Sequence, residues 1–394
     1  MAIEAGAGRI LSRTSAFARD LISAHPRLLG SLGDDVVVSQ EVARGYLLIF
    51  VFYTHAMLGV AAHLGTNAWY VLFQLKYLVP GISAFFLLSG MSAPNMARKG
   101  YEPILRRSFS LLLFAIVSHL GGFLIMLAGH LYDTPYAAAK ALVRPLVYGI
   151  DYEGFIGWFF LTLAIARLFA YQFLRSWPVF LAIAAGLACL VWFGKRLGLP
   201  DNIYEWRNWP AATLFFLIGM HWPRGWRIPH LIGVPAMVLS VLLALVNRHG
   251  LFHFGPCLTC DMRFQSEAMI GKYGSILVYI PQQMLFALFL VWFAQRTAPT
   301  LIGRTARFFG RSSLPILLMH GWVLLTIYPG ILSGMPSYET PYLFVGILCT
   351  AIVVHAVLYS LLSRPLDWIQ AQIFVFSRIG SGRGLPSARR ARAA

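Results

Sequence analysis

Ten apolar runs divide this chain: 42–64, 71–94, 108–130, 154–174, 177–194, 208–222, 230–247, 271–295, 312–331 and 341–363. A hydrocarbon core about 30 Å thick is crossed by roughly 20 helical residues. It offers no water to backbone N–H and C=O groups, so such segments close their hydrogen bonds internally as helices. The expected fold is therefore all-α: a polytopic membrane helix bundle with about ten transmembrane helices. The sixth run is the shortest, bracketed by Pro210 and Pro223. Hydrophobic residues make up 58% of the chain and charged ones 12%, outside the range of soluble domains. The net charge of +17 would otherwise suggest nucleic acid as a partner. Here the basic residues lie between apolar runs, where they orient a membrane protein instead.

Loop charge predicts the orientation. One set of loops carries Arg98, Lys99, Arg106, Arg107, Arg167, Arg175, Arg224, Arg227, Arg296, Arg304, Arg307 and Arg311, and the C-terminal tail adds more arginines. The alternate loops hold fewer bases and most of the loop acids. The positive-inside rule then puts both termini in the cytoplasm. No secretory signal is visible in the polar, basic start. The expected layout is a cytoplasmic N-terminal extension over 1–40, a membrane domain over 41–365 and a basic cytoplasmic tail over 366–394.

Within the first run stand Arg44 and His55. Ionisable groups are costly in hydrocarbon and mark function by default. Eleven helical steps are about three turns, so both side chains share a face, about 16 Å apart along the axis. One helix then carries a fixed cation near one end and a titratable imidazole near mid-membrane. The bland alternatives are an arginine that snorkels to the interface and a histidine that bonds a neighbouring helix.

Glu41-x-x-Arg44-(x10)-His55 resembles the opening of the acyltransferase-3 family of bacterial integral membrane O-acyltransferases. Four later stretches are similar in order and spacing over roughly 41–365. They are Phe85-Phe86-Leu87-Leu88-Ser89-Gly90, Gly157-Trp158-Phe159-Phe160-Leu161, Phe215-Phe216-Leu217-Ile218-Gly219, and the run from Phe309-Gly310-Arg311-Ser312-Ser313 to His320. The likeness is to the stand-alone members, including the glucan succinyltransferase branch. Two features depart from it. The family's R-x-x-R pair is represented by adjacent Arg106 and Arg107 with Arg98 and Lys99 upstream, and the glutamate often found in the fourth span has no counterpart.

The resemblance implies a multi-pass protein of the bacterial inner membrane. It would move an acyl group, acetyl or succinyl, from cytoplasmic acyl-CoA as co-substrate to a hydroxyl of an extracytoplasmic glycan or other small acceptor. His55 would act as general base or as nucleophilic acyl carrier. Arg44 would position the donor or His55. Guanidinium groups grip phosphate bidentately, so Arg106 and Arg107, with Arg98 and Arg311 behind them, become candidates for the coenzyme's phosphates as well as for orientation charge.

Ser313 and His320 are two turns apart on one face of the ninth run, where Pro315 is expected to loosen the helix; they either pack or line the reaction chamber. Asp151 and Glu153 at the edge of the fourth run are either solvated acids or stand-ins for the missing glutamate, and Trp158 is an interfacial or chamber aromatic. His249, His253, Cys257 and Cys260 offer zinc-ligand types, but without a long connector between the ligand pairs. A Cys257–Cys260 disulfide, or neither, competes with zinc there, and no metal is expected. Cys189 and Cys349 read as small packing residues within spans. Partners are the bilayer, the donor and the acceptor, with no nucleic acid. Two rivals remain: a proton-coupled transporter using Arg44 and His55, against which stand the lack of a repeat and of an acidic relay, and a non-catalytic scaffold in an envelope-polysaccharide complex.

Overall fold

A computed structural model describes residues 32–64, 82–93, 96–98, 100–200, 202–223, 225–247, 275–334 and 341–379. The elements are α1 (Leu32–Leu64), α2 (Ser83–Met91), α3 (Tyr101–Ala128), α4 (Pro135–Tyr148), α5 (Gly157–Arg175), α6 (Trp177–Arg196), α7 (Trp209–Met220), α8 (His230–Val246), α9 (Ile276–Thr297), α10 (Leu301–Arg311), α11 (Ser313–Thr326), α12 (Tyr328–Ser333) and α13 (Pro341–Ile379). Short 3₁₀ turns fall at Met96–Arg98 and Ile203–Glu205. The described part is all helical, as hydrocarbon demands. Six helices in it are long and apolar enough to cross a membrane, or seven if α10 and α11, bent by 86°, form one broken span. The helix α8 is apolar but shorter, with 17 residues, and α7 has 12.

Boundaries differ from the sequence expectation at several points. The first helix starts at Leu32, inside the expected extension, and α13 runs without interruption past residue 365 to Ile379. Of the second run only α2 is described. Pro315 does not loosen the ninth run: it sits in the first turn of α11, where its missing N–H has no helical partner to lose. The break falls earlier, at Ser312. The segment 135–148, expected as loop, is a helix capped by the Thr134 hydroxyl and ended by Gly149 at φ 65°. Cys189 and Cys349 are exposed on the outside of the bundle, not packed within it.

Two crossings depend on reciprocal glycines. A Cβ on Gly45 would overlap the Ala306 carbonyl, and one on Gly310 would overlap the Glu41 carbonyl, so α1 and α10 touch backbone to backbone. A Cβ on Gly90 would meet the Phe216 carbonyl, and one on Gly219 the Leu87 carbonyl, so α2 and α7 do the same. Small residues permit this approach where lipid supplies no hydrophobic drive between helices. Around these crossings Phe52, Phe86, Phe160, Phe215, Phe216 and Phe309 fill the core. The helix α10 turns Gly303, Ala306, Phe309 and Gly310 inward and carries Arg307 and Arg311 beside that face, within reach of Glu41 on α1.

Candidate functional site

A line of three imidazoles crosses the bundle from α1 to α13. Nδ1 of His55 lies 2.7 Å from Nε2 of His320 on α11. Nδ1 of His320 lies 2.8 Å from Nε2 of His355 on α13. Nδ1 of His355 lies 2.7 Å from the carbonyl oxygen of Ala351, one turn back on its own helix. The rings of His320 and His355 are wholly buried, whereas His55 is partly exposed.

The partners assign the tautomers. A carbonyl only accepts, so His355 carries its proton on Nδ1. A neutral His355 then presents a lone pair at Nε2, which requires Nδ1–H on His320. His320 in turn presents a lone pair at Nε2, which requires Nδ1–H on His55. The series ends at His55 Nε2, left unprotonated and without a hydrogen-bond partner among the described residues. One backbone carbonyl thereby sets the state of a ring two helices away.

Aromatic packing holds the line in place. Phe52, one turn before His55, stacks on His355 with ring centroids 3.7 Å apart and planes 4° from parallel. Its other neighbours are His320 at 4.9 Å and Phe309 at 5.7 Å. The Tyr328 ring stands 6.3 Å from His355, and its buried hydroxyl has no partner among the described residues. A narrow apolar groove beside the line is walled by Ala56, Val60, Tyr328, Leu332, Ile347 and Thr350. The three ring nitrogen pairs are joined in series and do not converge on a point. Among the described residues no group of three His, Cys, Asp or Glu side chains is arranged to hold a metal.

Arg44 points to a different partner. Its Nη2 donates to the Ser92 hydroxyl at the end of α2. That hydroxyl also donates to the Leu88 carbonyl at 3.0 Å and reaches Gln40 Oε1 at 3.4 Å. The guanidinium thus faces the negative end of the α2 dipole. Glu41, a turn earlier, accepts from Nε of Arg307 at 2.7 Å and Nε of Arg311 at 3.1 Å, which ties α10 to α1. Arg311, expected at phosphates, is thereby held by a carboxylate. Arg98 and Arg107 are exposed and Arg106 half-buried; none has an ion-pair partner among the described residues.

The remaining expected residues lie apart from the imidazole line. Ser313 opens α11, about two turns before His320. Trp158 is buried edge-on against Phe159. Asp151 pairs with Arg144 at 3.0 Å. The backbone N–H of Glu153 donates to His119 Nδ1 at 3.3 Å, while His119 Nε2 donates to the Leu142 carbonyl at 3.1 Å, so His119 knits α3 to α4 and to the start of α5. His249, His253, Cys257 and Cys260 lie outside the described residues.

Two residues carry weight that sequence reading missed. His355 sits in the tenth apolar run and meets the criterion that singled out His55. Glu205, in a loop, is a buried carboxyl whose Oε2 accepts from Nδ2 of Asn202 at 2.5 Å and of Asn208 at 2.9 Å. Burial pushes its pKa up to about 8 against the pull of those two amides. Two successive left-handed residues, Tyr204 at φ 49° and Glu205 at φ 59°, turn it inward.

No family model, curated protein or solved structure matches this chain.

Proposed function

We propose that the protein is an integral membrane O-acyltransferase of the inner bacterial membrane. In this reading it has about ten spans and cytoplasmic termini, and belongs with the acyltransferase-3 proteins that its motifs resemble. It takes an acyl group, acetyl or succinyl, from cytoplasmic acyl-CoA to a hydroxyl of an extracytoplasmic glycan or other small acceptor. The observation that carries the reading is the series from the Ala351 carbonyl to His55, because it leaves a ring nitrogen with an open lone pair on a residue that is not fully buried.

In the proposed step the acceptor hydroxyl passes its proton to His55 Nε2 as its oxygen bonds to the thioester carbonyl carbon. The tetrahedral intermediate expels the coenzyme's thiolate, which takes that proton from the imidazolium. While His55 is charged, its Nδ1–H bond to His320 strengthens, and His320 is held in line by His355. Arg44, fixed against α2, sets the position of α1 and so of His55. The apolar walls of the bundle limit water and hence thioester hydrolysis.

The test is coenzyme release. Protein purified into lipid should liberate free CoA from acetyl- or succinyl-CoA when an envelope glycan is supplied, and the ester should appear on the glycan. A folded His55→Ala variant with full turnover overturns the role given to His55. A line of three imidazoles also suits proton-coupled carriage. Solute uptake driven by a pH gradient in proteoliposomes, without CoA release, would select that reading.

A further inference from the structure

Gly154 is wedged between α3 and α11 beside the imidazole line. A Cβ on Gly321, the residue after His320, would overlap the Gly154 carbonyl, and one on Gly122 would overlap the backbone joining Glu153 to Gly154. The Ser118 hydroxyl donates to the same Gly154 carbonyl at 3.4 Å. The wedge belongs to the loop 149–156, which joins α4 to α5. In the orientation read from loop charge this is the extracytoplasmic end of the bundle. Two non-glycine residues of the loop are left-handed, Asp151 at φ 57° and Phe155 at φ 56°. Such residues persist where their surroundings over-determine them.

Those surroundings include the turn Ile203–Glu205, which packs on the start of α5. The Tyr204 hydroxyl donates to the Val147 carbonyl at 2.6 Å, and a Cβ on Gly149 would overlap the Tyr204 ring. The Trp209 indole N–H donates to the Tyr204 carbonyl at 2.7 Å. Tyr204 is itself left-handed, and so is Glu205, whose carboxyl is thereby turned inward to Asn202 and Asn208. The place of the Tyr204 ring against the first loop is therefore tied to burial of the Glu205 carboxyl.

The ionisable groups on the elements around Glu205 are Asp151 and Tyr152 on the first loop, Arg144 and Tyr148 on α4, and Tyr204 and Arg207 beside it. Arg144 is taken by Asp151 at 3.0 Å. The stretch of α5 from Gly157 to Ala166 and all of α7 carry no ionisable side chain; Arg167, expected in a loop, lies further along α5. Glu205 has no ion-pair partner among the described residues. Burial pushes its pKa up to about 8; the two amides oppose the rise and the Asp151 charge adds to it.

We propose that the loop 149–156 is a gate over the imidazole line and that the Glu205 carboxyl is its latch, shut while the carboxyl is neutral and released when it ionises. A carboxylate in that pocket is a buried charge with two amide donors and no cation to balance it. On giving its proton to water it moves out toward solvent, and the left-handed pair Tyr204–Glu205 relaxes with it. The Tyr204 hydroxyl then leaves Val147, the first loop loses its brace, and Gly154 withdraws from Gly321. That the gate admits an acceptor hydroxyl to His55 rests on the transferase reading above; the gate itself does not.

The test uses the full chain in lipid nanodiscs, with the four native cysteines replaced by serine and a nitroxide attached at Phe155→Cys, an exposed position on the loop. The spectrum should report an immobile loop at about pH 6 and a mobile fraction that rises roughly tenfold per pH unit toward a midpoint near pH 8. With Glu205→Gln added, which cannot ionise, the loop should stay immobile throughout. With Tyr204→Phe added instead, which removes only the hydroxyl, it should be mobile already at about pH 6; this variant decides the matter if Glu205→Gln does not fold. A loop immobile at every pH with Glu205 present, a pH response that survives in folded Glu205→Gln, or a Tyr204→Phe loop that stays immobile at low pH overturns the gate. Release of CoA separates the two readings. A loop that responds as described in a protein that releases no CoA leaves the gate standing and removes the transferase reading. CoA release from a protein whose loop is immobile at every pH leaves the transferase reading standing and removes the gate.

Discussion

His355 donates its Nδ1–H to the carbonyl of Ala351 at 2.7 Å, and through that bond it governs which nitrogen of His55 is free. The proton order of the whole line is anchored by a backbone group that cannot titrate. A line of histidines without such an anchor could run in either direction. This one has a single sense when all three rings are neutral.

Removing the anchor should therefore impair His55 at a distance. His355→Ala leaves His320 Nδ1–H without an acceptor in a dry core, at a cost of about 1–3 kcal/mol. Acyl transfer should fall tenfold or more, and the pH profile of kcat should shift, which simple loss of packing would not cause. His55→Ala should lower kcat by about 10²–10⁴, the range of a lost general base. Steady-state release of CoA across pH measures both; a His355→Ala enzyme with the wild-type pH profile counts against the relay.

The glycine crossings should tolerate no Cβ. Gly90→Ala and Gly45→Ala each drive a methyl into a carbonyl on the facing helix. Overpacking of this kind costs about 1–3 kcal/mol or more. Thermal unfolding in detergent should show large losses for both. By contrast Gly186→Ala, where a Cβ meets nothing within 4 Å, should be neutral.

Glu205 predicts a pH dependence of stability. Its pKa is raised from 4.5 to about 8 on folding, so the folded state binds the proton more tightly than the unfolded chain. The stabilisation is complete below about pH 4.5 and is lost as pH rises through about 8. The unfolding temperature should decline over that window, and Glu205→Gln should flatten the decline.

The Glu41 pairs should matter less than their geometry suggests. The side chains of Arg307 and Arg311 are 32% and 57% exposed, and Glu41 is 20% exposed. Screened pairs of this type contribute about 0–1 kcal/mol each. Glu41→Gln should lower the unfolding temperature slightly, and the effect should shrink in high salt.

Much of the helical architecture was legible in the apolar runs, because a hydrocarbon solvent permits little else. The common face of Arg44 and His55 followed from helical phase, yet phase does not say which neighbour each group meets. Arg44 goes to Ser92 and His55 to His320, two partners on different helices. His320 was visible through its motif. His355 had no motif around it and passed as one more residue of the tenth run. Arg167 was misread because positive charge was assigned to loops by rule. The helix 135–148 carried its signals openly, Thr134 then Pro135 at one end and Gly149 at the other, but its lysine and arginine drew it into the loop count. The break at Ser312 had no single residue to announce it, since Pro315 is harmless in a first turn.

The paired glycines of α1 and α10 act as interlocking teeth. If either helix slid along the other by one residue, a side chain would arrive where only a hydrogen fits. The stretch of α1 from Glu41 to His55 is thus indexed to α10, so the two helices can shift only as one piece against the rest of the bundle.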